Sequence, residues 1–334
     1  MKIATPITAE GTDLPSLSLF NNSRDRQEIT IPLSNLSLNG DTGDLDITNT
    51  LSYPLTELAV SQLAKKVKLP SSFVLTAPNE VSAWNFNKFL PSSLGTVILT
   101  TEQGRIVSIT TDQRNTIDSN LLFDDLNKVN NNYPLTDWSL TPTGIKIRVV
   151  SKYDSIEPKL NDIVKTGSEI MLRENEDRGF GIRGLLYRLV CLNGAIASEN
   201  INAKRNFQSL NWSNEQAKVD IAVDSIEETC VLLNKYAETL SSLTTVPIQF
   251  SDMEDEERLF LLKKLSKLSL IPSKYISTVS EAIQTEDDSL FGWYNAITRV
   301  GRDANVGSVK ETFEKAGFRV LSHFETFLNV TEAA

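Results

Sequence analysis

Thr96-Val97-Ile98-Leu99-Thr100-Thr101-Glu102-Gln103-Gly104-Arg105-Ile106-Val107-Ser108-Ile109-Thr110 is the stretch on which the fold class turns. Its two β-branched runs, Thr96 to Thr100 and Ile106 to Thr110, read as strands. Gln103-Gly104 between them has the turn chemistry of a hairpin. Antiparallel sheet therefore sits inside a chain whose flanks carry helical periodicity, and the class expected is α+β.

Working toward the N-terminus, the spacing predicts a short helix over Val81 to Phe89 and a longer one over Thr56 to Lys68. Leu55, Leu58, Ala59, Leu63 and Val67 form one apolar stripe of the longer helix. Lys65, Lys66 and Lys68 load its last turn, where the helix dipole favours cations, and Pro70 stops it. Residues 1–50 are rich in Asn, Ser, Thr, Asp and Gly, with turn signals at Asn39-Gly40-Asp41 and Thr42-Gly43-Asp44. They are expected to form a polar N-terminal arm with at most a short edge strand at Glu28-Ile29-Thr30-Ile31. Such an arm docks on a neighbouring subunit or is a plain surface extension.

Toward the C-terminus, Asp118 to Val129 reads as helix, and Trp138 to Leu140 and Gly144 to Lys152 as strands. In the second strand Ile145, Ile147 and Val149 face one way and Lys146, Arg148 and Lys152 the other. Glu169 to Arg173 is a further strand, followed by a loop over Glu174 to Gly181. From Ile182 onward, Ile182, Leu185, Leu186, Leu189 and Val190 fall at helical spacing, and Asn193-Gly194 ends the helix this predicts. These elements make an α+β core domain over residues 51–205, an N-terminal mixed sheet with hairpins and packed helices. Residues 206–334 follow as an α-helical C-terminal half, with helices over Asn214–Leu243, Asp252–Leu270, Ser273–Gln284, Ser289–Val300 and Ser308–Leu328. Ser251 and Asp252 suit the cap of the second of these. No internal repeat or low-complexity segment interrupts the order.

The net charge of −10 is unevenly placed. Residues 1–205 hold 21 basic and 23 acidic residues, a balance of −2, and residues 206–334 hold 12 and 20, a balance of −8. An acidic surface disfavours nonspecific binding of nucleic acid, because phosphate affinity comes from Lys and Arg. No run reaches the roughly 18 apolar residues of a membrane span, and no signal peptide is expected at the N-terminus. Cys191 and Cys230 read as buried free thiols, and the four tryptophans, Trp84, Trp138, Trp212 and Trp293, as core anchors.

The chain lacks the patterns that enzymes advertise. It has one histidine, His323, and two cysteines, too few for a zinc site of ordinary spacing. Neither a phosphate-binding lysine loop, nor a dinucleotide fingerprint, nor a nucleophile elbow occurs. The paired carboxylates Asp124-Asp125 and Asp287-Asp288 read as helix-end acids. A non-enzymatic protein without cofactor or metal is expected.

The informative constellation is basic. Between Arg173 and Arg205 the chain carries Arg173, Arg178, Arg183, Arg188, Lys204 and Arg205 against Glu174, Glu176, Asp177 and Glu199, a local balance of +2. Lys146, Arg148 and Lys152 add one face of the preceding strand, and Tyr153, Phe180 and Tyr187 offer rings for base stacking. Packed as a β-β-α unit, these groups line one nucleic-acid-binding groove. The competing reading makes them solvated faces, with Arg173 or Arg188 paired to Glu174 or Glu176.

Three segments carry a family resemblance. Tyr187-Arg188-Leu189-Val190-Cys191-Leu192-Asn193-Gly194 resembles the R-x-V-C-x-N-G core of an uncharacterised phage- and plasmid-encoded domain family. Ser168-Glu169-Ile170, with Glu174 to Gly181 after it, sits where that family has an N-S-E/D-x-G stretch. Gly292-Trp293-Tyr294-Asn295-Ala296-Ile297-Thr298-Arg299 resembles its W-G-x-x-N-A-V-T element. The likeness spans roughly residues 55–305. The family's histidine after that element is missing here, where Arg302 and Asp303 stand. The resemblance implies origin in a phage or plasmid and a fold core around Arg188, Cys191 and Asn193. It brings no activity with it.

Two functions are therefore expected. The first is an accessory protein that binds single-stranded nucleic acid in recombination or annealing, through the basic residues above. The second is a structural or protein-interaction protein, a virion or assembly component or a host-defence inhibitor, presenting the acidic helices. The partners are accordingly single-stranded DNA, another copy of the chain as a homo-oligomer, or a host or phage protein, with no membrane. The setting is the host-cell cytoplasm or the virion.

Overall fold

A computed structural model of the chain describes residues 9–48, 50–111, 117–177, 179–189, 193–196, 215–304 and 307–332. The class is α+β, with the strands in the first part of the chain and mostly helices after it. The first part opens with β1 (Glu10–Gly11), α1 (Leu14–Ser23), β2 (Arg26–Pro32), β3 (Leu36–Leu38), β4 (Leu45–Ile47) and β5 (Leu51–Tyr53). It continues with α2 (Glu57–Lys66), α3 (Ser71–Thr76), α4 (Asn79–Phe89) and the hairpin β6 (Thr96–Glu102) and β7 (Arg105–Thr111). Gln103 and Gly104 both take positive φ, 50° and 71°, the two left-handed residues that a tight type I′ hairpin turn requires.

The polar arm expected over residues 1–50 is corrected wherever the structure describes it. Residues 10–47 are woven into the sheets. β2 pairs antiparallel along the whole of β6, from Arg26 opposite Glu102 to Pro32 opposite Thr96. Leu33, Leu36, Leu38, Leu45 and Ile47 join Leu55, Leu63 and Phe86 in one core under α2 and α4. β1 pairs with a strand further on, and Leu14 and Leu17 of α1 are buried beside it. The polar residues that suggested an arm occupy turns, while Leu36 and Leu38, or Leu45 and Ile47, point inward at every second position. Three-residue strands are too short for that alternation to declare itself in sequence.

After α5 (Ser119–Val129), capped by Asp118 through the N–H groups of Asn120 and Leu121, the chain runs through an antiparallel meander. Its strands are β8 (Leu135–Thr141), β9 (Gly144–Lys159), β10 (Asp162–Arg173), β11 (Gly179–Arg188) and β12 (Asn193–Ile196). With β1 at the edge they form a six-stranded sheet in the order β1-β8-β9-β10-β11-β12. The three-stranded sheets β2-β6-β7 and β3-β4-β5 stand apart from it.

β11 corrects the helix expected from Ile182, and with it the β-β-α groove. Arg183 pairs opposite Glu169 and Ile182 opposite Ile170, and Tyr187 lies opposite Gly194. Asn193-Gly194 is thus the start of a strand, where a helix cap was expected. The strand is buried on both faces, so its apolar residues run almost without a break, and a continuous run of that kind satisfies a helical template equally well. Gly184, unfavourable inside the expected helix, was the available contrary signal.

The remaining helices are α6 (Glu215–Asn234), α7 (Ala237–Leu243), α8 (Asp255–Leu268), α9 (Ile276–Ile283), α10 (Leu290–Asp303), α11 (Gly307–Ser322) and α12 (Phe324–Glu332). They follow the expected segments closely, although Glu254, with no capping side-chain bond, precedes α8 in place of Ser251 or Asp252. α6 lies on one face of the large sheet, where Ile145, Ile147, Ile170 and Ile182 pack against Val219, Ala222 and Ile226. α10 is the most deeply buried helix, with Phe291, Trp293, Tyr294 and Ile297 inside the largest core. Of the tryptophans, Trp138 and Trp293 are core residues, whereas Trp84 is corrected to a 64% exposed position on α4. Trp212 and Cys191 lie outside the described residues, and Cys230 is the buried free thiol expected.

Candidate functional site

Strand alternation places Ile145, Ile147, Ile170 and Ile182 toward α6, and therefore sends Lys146, Arg148, Glu169 and Arg183 to the opposite face. Register completes the arrangement. Glu169 on β10 stands directly between Arg148 on β9 and Arg183 on β11, a three-strand rung of alternating charge. Arg148 Nε donates to Glu169 Oε2 at 2.8 Å and Arg183 Nε to Glu169 Oε1 at 2.8 Å. α11 then lowers two more carboxylates onto this face. Arg148 Nη2 meets Glu314 Oε2 at 2.8 Å, Arg183 Nη1 meets Glu311 Oε1 at 2.9 Å, and Lys146 Nζ meets Glu311 Oε2 at 2.7 Å.

These charges are withdrawn from water. Glu169 is fully buried, and Arg183 and Glu314 nearly so. Desolvation works against ionisation of Glu169, but the charges of Arg148, Arg183 and Lys146 outweigh it and hold the carboxyl below its usual range. The same contest leaves Arg148 well above the ordinary guanidinium value, since Glu314 and Glu169 overcome its burial. Glu311 is driven far below the ordinary carboxylate range, burial being overcome by the hydrogen bonds and charges of Arg183 and Lys146. Glu314 goes the other way, because desolvation exceeds what Arg148 returns. Asp137, opposite Arg148 on β8, is likewise raised by burial.

The charged face is the floor of a cleft of about 2210 Å³. One wall is α2, with Gln62, Lys65 and Lys66. The other is α11, with Lys310 and Glu311, and Asp137, Trp138 and Ser139 of β8 close the edge. Gln62 also ties this wall to the sheet, donating to Asn175 O at 2.6 Å and accepting from Ile109 N at 2.7 Å. The lining holds eight basic and seven acidic side chains, a balance of +1 in a chain of −10. Lys65 and Lys310 make no ion pair among the described residues.

The residues expected from the sequence divide as follows. Lys146, Arg148, Arg173, Arg183 and Tyr187 all line the cleft. Within it Arg148 and Arg183 are committed to buried carboxylates, and Arg173 lies 3.8 Å from Glu176. Arg188 does not line it. Its guanidinium grips Asp162 through two 2.6 Å bonds and lies 5.7 Å over the Phe291 ring, fastening β11 to α10. Lys152 is exposed elsewhere, over the ring of Tyr153, and Phe180 is buried in the core. Arg178, Lys204 and Arg205 lie outside the described residues. The sequence reading missed Lys65, Lys66, Arg302 and Lys310 as cleft residues. Lys65 and Lys66 were visible only as complements to a helix dipole, and no local pattern links α2 with α11.

Among the described residues no group of three His, Cys, Asp or Glu side chains is placed to hold a metal ion, and no helix is long and apolar enough to cross a membrane. No protein-family model, curated protein or solved structure matches the chain.

Proposed function

We propose that the protein is a non-enzymatic accessory protein that holds single-stranded nucleic acid by its phosphate backbone in the cleft between α2 and α11. One observation carries this reading. In an acidic chain, cationic side chains from α2, β9 and α11 converge on a single large concavity whose charges, counting Glu169 beneath its floor, balance near zero. In a chain of net charge −10, a concavity in which basic and acidic side chains balance repels a phosphate backbone least, and its cations supply the attraction. The buried arginines act as a charged floor, while Lys65 and Lys310 supply donors at the rim and Lys66, 3.8 Å from Asp177, adds a third cation. Tyr187 is the aromatic group at hand for stacking, so backbone contact dominates and little base preference is expected. Origin in a phage or plasmid, implied by the motif resemblance, belongs to the same proposal.

The test is fluorescence anisotropy with labelled single- and double-stranded oligonucleotides at about 50 and 200 mM salt, a range over which several phosphate contacts change affinity by orders of magnitude. The single strand is expected to bind at low salt and to be lost at high salt. Lys65→Glu with Lys66→Glu and Lys310→Glu is expected to abolish binding without unfolding the chain. Absence of binding at 50 mM salt by the wild-type protein sinks the reading.

A second reading has its own observation. On α8, Leu259 and Phe260 are 45% and 60% exposed beside the acidic turn Glu254 to Glu257. Lys264 Nζ lies 4.4 Å over the Phe260 ring, so the patch carries both signs of charge at its edge. An exposed apolar patch of this kind suits a protein partner, and pull-down that fails for Phe260→Glu would support it.

A further inference from the structure

Among the described residues of the cleft, Glu311 is a carboxylate on which three cations converge at short distance. Lys146 Nζ meets its Oε2 at 2.7 Å, and Arg183 Nη1 and Lys315 Nζ both meet its Oε1 at 2.9 Å. The three come from β9, β11 and α11. A carboxylate in that position has the charge and the pair of acceptor oxygens that one phosphodiester linkage presents. We infer that Lys146 and Arg183 at the foot of the cleft, with Lys315 beside it on α11, form a phosphate subsite, filled by the Glu311 carboxylate until a phosphate group displaces it. The inference rests on the cleft reading above and adds to it where a phosphate seats and what it must displace.

The surroundings permit the exchange. The Glu311 side chain is 28% exposed, so its head can swing into solvent, whereas Arg183 at 1% cannot follow it. Arg183 keeps its second partner, Glu169, at 2.5 Å and so stays in place when Glu311 leaves. α11 is held independently, by Arg148 with Glu314 at 2.8 Å and by the close packing of Gly317 against Thr298 and Ala195. Displacement is therefore a side-chain event that leaves the helix docked. Glu311 also explains how these cations avoid binding any passing anion, since a ligand must first outcompete an attached counter-ion.

The experiment uses inorganic phosphate as probe and reads the thermal midpoint of the full chain, with chloride at matched ionic strength as reference. Glu311→Gln removes the negative charge that occupies the subsite and leaves its three cations uncompensated there. Phosphate is expected to stabilise this variant at about tenfold lower concentration than the wild type, the scale of one close charge pair in a partly wet site. Lys315→Ala, whose side chain is half-exposed and remote from the core, is expected to need more phosphate than the wild type. Equal effects of phosphate and chloride on Glu311→Gln, or a Lys315→Ala variant indistinguishable from wild type, would overturn the subsite. Should Glu311→Gln not fold, Lys315→Ala decides alone. Labelled oligonucleotide separates the two proposals. If phosphate acts as described and no oligonucleotide binds, the subsite stands and the nucleic-acid reading fails. If oligonucleotide binds the wild type and Glu311→Gln equally, the nucleic-acid reading stands and the subsite fails.

Discussion

Glu169 shows how much a single position can organise. It is fully buried between two arginines on neighbouring strands, and each guanidinium depends on it for charge and hydrogen bonds. Breaking a buried ion pair by removing one partner typically costs about 3–5 kcal/mol, because an uncompensated charge stays behind. Glu169→Gln is therefore expected to lower the unfolding free energy by roughly that amount, measured by urea denaturation. A loss below about 1 kcal/mol would mean that water reaches the rung and screens it. The same residue was legible in the sequence as the start of a strand and as part of a motif resemblance. Its two partners were legible as a basic face, and their pairing with it was not, since strand register is a property of three segments together.

At the scale of elements, α11 is fastened to the sheet by charge, and this sets a pH dependence with a definite sign. Glu311 sits below its usual value in the folded chain, so the unfolded chain takes up protons first as the solution is acidified. The stability that Glu311 contributes is present above the ordinary carboxylate range, near pH 4.3, and is withdrawn as pH falls through its depressed value. Glu314 has the opposite sign. Its raised value means that ionisation costs stability at neutral pH, and that cost is relieved as the solution is acidified. The stability difference between wild type and Glu311→Gln is accordingly expected to be constant above about pH 5 and to shrink below about pH 4. A difference that persisted unchanged to pH 3 would remove Glu311 from the fastening. α10 offers a simpler test. Ser289 caps it by accepting from the N–H of Gly292 at 3.2 Å, and the helix fills the largest core. Ser289→Ala is expected to cost about 1 kcal/mol in thermal or urea unfolding, the usual effect of a lost cap. This cap stands at the residue where the sequence placed the start of the helix. β11 is the contrasting element. Its burial on both faces erased the alternation by which a strand is recognised.

At the scale of the whole molecule, the cleft exists because three distant parts of the chain meet. Its floor is the sheet face turned away from α6, and its walls are a helix from the first third of the sequence and one from the last. An acidic protein thereby gathers eight basic side chains around one concavity, which the overall charge of −10 conceals. The salt-dependent binding proposed above belongs to this scale, because no one element holds enough cations to produce it.

The sequence by itself determined the class, the β6–β7 hairpin, the strands carrying Arg148 and Glu169, and the succession of helices after residue 214. These features rest on local periodicity and on turn and cap residues, which act over a few positions and so can be read a few positions at a time. Tertiary structure alone decided three matters. It drew residues 10–47 into the first part of the fold, made a strand of Gly179–Arg188, and placed Lys146, Arg148 and Arg183 of the supposed basic groove in an ion-pair network with Glu169, Glu311 and Glu314. Each depends on what lies across a strand or against a helix from a remote segment. A cation's role is fixed by the carboxylate that burial brings to it, and that partner is set by packing and register, which no local window of sequence contains.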